Sequence, residues 1–111
     1  MNIEDDTLHN VEREALIEKL VNCGFEKMMT HNGIDSFSRP TNMASPFEKR
    51  SGRRIDIFVD IGQENASIGI HAAIDDGWCI AKIEEVSFER MAHRLNTFEQ
   101  KLVDAWRDLR N

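Results

Sequence analysis

Cysteine is scarce in this chain, long apolar runs are missing, and none of the common catalytic signatures occurs. Two cysteines, Cys23 and Cys79, in 111 residues are too few for a disulfide scaffold. Both fall on expected apolar faces, which predicts buried free thiols and a cytoplasmic setting. No stretch approaches the roughly 20 apolar residues of a membrane span. Met1 to Asp6 carries three acidic residues with no basic, apolar leader behind it, so no secretory signal is expected. There is no glycine-rich phosphate loop, Cys-x-x-Cys pair, His-Glu-x-x-His helix or nucleophile elbow. His9, His31, His71 and His93 are dispersed, without a second ligand at metal-binding spacing. The expectation is a protein that is no enzyme and uses neither metal nor cofactor.

What the chain does have suits one domain over residues 1–111: it is 41% hydrophobic and 31% charged. The net charge of −6 is uneven. Arg39 to Arg54 holds five basic residues against Glu48, a local +4, so the other 95 residues carry −10. The patch includes a predicted loop at 40–52, punctuated by Pro40 and Pro46 and rich in turn-favouring serine, threonine, asparagine and glycine.

The strongest pattern runs from Arg54 to Val86. Ile55, Ile57, Val59 and Ile61 alternate with Asp56, Phe58 and Asp60, and Ile68, Ile70, Ala72 and Ile74 repeat the aliphatic row. A loop over Gln63 to Ala66 is expected to set Ile61 opposite Ile68, Val59 opposite Ile70 and Ile57 opposite Ala72. An Asp76-Gly77 turn would set Ile74 opposite Cys79, Ala72 opposite Ala81 and Ile70 opposite Ile83. The second face would then carry Arg54, Asp75 and Trp78 in one row, Asp56, Ala73 and Ile80 in the next, and Phe58, His71 and Lys82 in a third.

Leu8, Val11, Ala15, Leu16, Leu20 and Cys23 predict a helix from about Thr7 to Cys23, stopped by Gly24, with Phe25 packing back on its last turn. Asn32-Gly33 predicts a hairpin between Glu26–His31 and Ile34–Arg39, pairing Met28 with Phe37 and Glu26 with Arg39. Phe88, Met91, Leu95, Phe98, Leu102, Ala105 and Leu109 mark a second helix, capped by Ser87. Reaching Arg110, it would be about 34 Å long, and Trp106 would either cover the sheet or project from it. The predicted fold is α+β: a five-stranded antiparallel sheet with the amino-terminal helix and the long carboxyl-terminal helix on one face.

Such a two-layer fold leaves the second sheet face open, and this chain places Phe58, Trp78 and Ile80 there, ringed by Arg54, Asp56 and Lys82. That is the composition of a recognition surface. Asp56, Asp60, His71 and Lys82 also contain the elements of a hydrolytic site, but an open, solvated face gives no means of perturbing them. Size, acidity and missing catalytic motifs give this chain the profile of phage counter-defence proteins such as anti-CRISPRs, and of toxin-immunity proteins. The expected function is non-enzymatic binding or inhibition of a protein partner with a basic surface. A homodimer, or the 40–52 loop folding back, would be a competing way to cover the face, and no membrane partner is expected. The alternative is a nucleic-acid-binding module that uses Lys49, Arg50, Arg53 and Arg54 on phosphates and stacks bases on Phe58 and Trp78.

Overall fold

A computed structural model describes residues 3–43, 55–72 and 79–110. Helix α1 (Ile3–Asn22) is followed by strands β1 (Glu26–His31), β2 (Ile34–Pro40), β3 (Ile55–Ile61), β4 (Ala66–Ala72) and β5 (Cys79–Val86), then by helix α2 (Phe88–Arg110). The strands form one antiparallel sheet in chain order. This is the expected α+β architecture. Among the described residues no helix is long and apolar enough to cross a membrane.

The sheet's apolar face is the core. Ile55, Ile57, Val59 and Ile61 of β3 and Ile68 and Ile70 of β4 are all buried, beneath Met91, Leu95 and Leu102 of α2. Burial contributes about 1.5–3 kcal/mol for each large aliphatic side chain, so these strands hold tightly to this face. Helix α2 packs on β4 and β5, and α1 packs beside α2.

The register departs from expectation by two residues at β3–β4. Ile61 faces Ala66, Val59 faces Ile68 and Ile57 faces Ile70. The connection is only Gly62 to Asn65, closed by the Gly62 N–H donating to the Asn65 carbonyl at 2.9 Å. A two-residue slip leaves every side chain on its own face, so alternation cannot detect it; the tighter loop decides. Ile70 likewise faces Ala81 and not Ile83. Strand β5 has two bulges against β4: Ile80 is extra between the Ile70 and His71 pairings, and Glu84-Glu85 oppose Ser67, with Glu85 at φ 57°. The Asp76-Gly77 turn lies outside the described residues.

The Asn32-Gly33 turn forms with both residues at positive φ, as a tight hairpin requires. Pairing next to it follows expectation, His31 with Ile34, but a bulge at Met28 then puts Lys27 opposite Phe37 and Glu26 opposite Ser38. The expected Met28–Phe37 and Glu26–Arg39 pairs therefore do not occur. Arg39 turns instead to α2.

Helix α1 begins four residues before its expected start and ends in a Schellman cap. The Phe25 N–H reaches the Leu20 carbonyl and the Gly24 N–H the Val21 carbonyl, both at 3.0 Å, with Gly24 at φ 89°. Only part of its expected apolar stripe is inward: Leu16 and Leu20 are buried, whereas Leu8, Val11 and Ala15 are exposed. The inward positions of its first half are polar. His9 donates to the Gln63 carbonyl at 2.7 Å, and Arg13 pairs with Asp35 of β2 at 2.6 Å. The Thr30 hydroxyl and Arg13 donate to Asp35 and, against the opposing effect of burial, hold its carboxyl at about 2.

Ser87 caps α2, its hydroxyl accepting the Arg90 N–H at 3.2 Å. Arg94 interrupts the helical dihedrals once. Trp106 is buried in the core, so it covers the sheet and does not project. The buried face also includes Glu99, only 1% exposed, which the apolar stripe gave no reason to expect. Its carboxylate takes both Arg39 guanidinium nitrogens, at 2.7 and 3.2 Å, and the Thr41 hydroxyl at 2.6 Å. The Arg39 guanidinium also lies 4.6 Å from the centre of the Phe25 ring.

Both cysteines are free. Cys23 is half-buried against the core, but Cys79 is exposed and not buried as expected, because the Ile80 bulge sets it opposite His71.

Candidate functional site

The opposite face of the sheet carries the even-numbered residues of β3. Alternation sends Asp56, Phe58 and Asp60 away from the helices, and pairing adds Ser36 and Ser38 from β2 and Ser67, Gly69 and His71 from β4. Most of these neighbours are small. The result is a shallow groove of about 330 Å³ along β2, with Met28 on one wall and Phe58 on the other, and with Asp56, Asp60 and His71 among its lining.

Phe58 leans over Gly69. A Cβ at Gly69 would collide with the ring's Cζ and come within 2.7 Å of its Cε1, so only glycine lets the ring lie there. The His71 ring is tilted against it at 46°, centroids 5.4 Å apart. Asp60 is held in place by the Ser36 hydroxyl, which donates to Oδ1 at 2.7 Å. Asp56 is only 6% exposed, which corrects the expectation of a solvated acid on this face. The buried Nδ1 of His71 has no hydrogen-bond partner among the described residues.

The expected rows are rearranged by the register. Phe58 aligns with Gly69 and Lys82, and Asp56 with His71. Lys82 is exposed, 3.5 Å from Glu84. Ile80 does not join Asp56: as the extra residue of its bulge it packs against the core. Trp78, Arg54, Lys49, Arg50 and Arg53 lie outside the described residues, so the apolar cluster expected of Phe58, Trp78 and Ile80 is represented by Phe58 alone among the described ones.

Contributors from three strands, β1, β2 and β4, were missed in the sequence. The bulge in β1 brings Met28 to the groove while Met29 stays opposite Ser36, so two consecutive methionines, 63% and 58% exposed, border this face. Ser36 and Ser38 alternate with Asp35, Phe37 and Arg39, a period-2 signal that does place them together on the open side. Gly69 had no such signal, since its role depends on which residue it faces.

No known protein family, curated protein or solved structure matches this chain.

Proposed function

We propose that this is a small, acidic, non-enzymatic binding or inhibitory protein, of the phage counter-defence or toxin-immunity kind, which recognises a protein partner through the open face of its sheet. The observation that carries this reading is the Phe58 groove. A solvated sheet face is ordinarily polar and featureless, whereas here an aromatic ring, the exposed Met28 and two carboxylates line a concave strip, with the exposed Met29 beside it. Methionine adapts to varied partner surfaces, and a central aromatic within a polar rim has the anatomy of a binding hot spot. The acidic balance of the chain favours a partner with a basic surface.

The test uses the parent and Phe58→Ala as paired baits in extract of the native host cell, with both folds checked by thermal melting. One identified protein should be retained by the parent and lost by the variant, with the purified pair losing about 2 kcal/mol or more of affinity. Lys82→Ala should chiefly alter association rate and salt dependence. Equal retention by Phe58→Ala, with loss in Arg50→Ala and Arg53→Ala, would transfer the site to the basic segment.

A further inference from the structure

We propose that the groove is a receptor for one cationic side chain, arginine or lysine, presented by the protein partner. This rests on reading the open face as the partner surface, and it names what that surface accepts.

The argument starts from the neighbours of Phe58. Ser38, opposite Phe58 on β2, is small and leaves the groove side of the ring uncrowded, while the ring's other side lies over Gly69. A cation is attracted to the face of an aromatic ring when it comes within roughly 6 Å of its centre. Asp60 stands two residues along the same strand face, about 7 Å away by strand geometry, so one long side chain can reach both groups. Its carboxylate is already oriented by Ser36, which lowers the cost of ordering it on binding. Met28 forms the opposite wall and offers an unbranched apolar surface to the methylene stem of an arginine or lysine.

His71 also lines the groove and braces the Phe58 ring, tilted against it at 46° with centroids 5.4 Å apart, so the ring is held in place to receive a cation. An anionic ligand fits poorly, because Asp56 and Asp60 both line the site. Phosphate-bearing nucleic acid is therefore disfavoured here even though Phe58 could stack on a base.

The experiment is an NMR titration of the full chain with acetyl-Gly-Arg-Gly-amide and with its citrulline counterpart, which keeps the shape and removes the charge. Saturable shifts should centre on Ser36, Ser38, Phe58 and Asp60. Affinity should fall roughly fivefold or more for the citrulline peptide, for Phe58→Leu and for Asp60→Asn, each variant first shown to keep the parent's spectrum elsewhere. Equal binding of the citrulline peptide, absence of saturable shifts, shifts confined to other surfaces, or displacement of the arginine peptide from these residues by oligothymidylate would each overturn the inference. If Phe58→Ala abolishes partner capture while the arginine peptide does not bind, the open-face reading stands and the cation receptor fails. If the arginine peptide binds as described and capture is indifferent to Phe58→Ala, the receptor stands and the assignment of this face to the partner fails.

Discussion

Removing the carboxylate of Glu99 should be among the most damaging single changes in this protein. Glu99 is 1% exposed and the Arg39 side chain 10%, so the bidentate pair is held out of water, with Thr41 donating a third hydrogen bond. Glu99→Ala would leave a buried guanidinium without its counter-ion, when Arg39 Nε already lacks a hydrogen-bond partner among the described residues. Breaking one side of such a pair costs about 3–5 kcal/mol, because the stranded charge keeps its desolvation penalty. With an unfolding entropy of about 2.1 cal/mol/K per residue, a chain of 111 residues loses 1 kcal/mol for roughly every 4 °C, so Tm should fall by about 13–21 °C. Urea denaturation at 25 °C should give the same loss as a lowered midpoint with unchanged slope. The companion is Arg39→Met combined with Glu99→Leu, which replaces both charges by apolar groups and should recover most of the loss. It does not recover all, since Thr41 loses its acceptor and Phe25 its cation. A loss under about 1 kcal/mol for Glu99→Ala, or a double variant no better than the worse single one, would refute this account of the pair.

Three other outcomes follow from particular contacts. Asp35 has its folded pKa lowered from 3.8 to about 2, chiefly by the hydrogen bond from Thr30 and then that from Arg13, so its stabilisation is present above pH 4 and lost as pH falls from about 4 to 2. Urea midpoints measured across that window should show the parent's advantage over Asp35→Asn shrinking with acid; a constant difference would contradict it. Gly69→Ala should displace the Phe58 ring and destabilise by about 1–2 kcal/mol, seen as a change in the ring's NMR environment; an undisturbed ring would show that it does not lie across Gly69. Gly24→Ala has room for its methyl, the nearest atom being Arg39 Cδ at 3.7 Å, so the cost of about 1–2 kcal/mol in a thermal melt comes from holding φ at 89°. A neutral Gly24→Ala would deny that cost.

Much of the fold was legible because local chemistry and global packing agree. Period-2 alternation in β3 and β4 determined which face is apolar, Asn32-Gly33 determined a tight turn, and Gly24 and Ser87 determined where one helix stops and the next begins. Of the site, Asp56 and Phe58 were placed on the open face by that alternation, and Lys82 by the same period in β5. What alternation cannot express is displacement by two residues, which preserves every face; it set Phe58 against His71, where the structure sets it against Gly69. Bulges are equally silent in the sequence, since one extra residue looks like ordinary strand until a partner strand fixes the count. That is why Met28 and Ile80 were misplaced.

The sequence by itself determined the α+β class, the strand faces and the absence of the common catalytic signatures, because each follows from residue spacing along a single element. The tertiary structure alone decided the register, the polar inward positions of α1, the burial of Glu99 against Arg39, and the groove between Met28 and Phe58. Each of these depends on which residues from distant parts of the chain meet: a loop-closure preference, a charge that finds its partner 60 residues away, and a glycine that matters only because an aromatic ring lies over it.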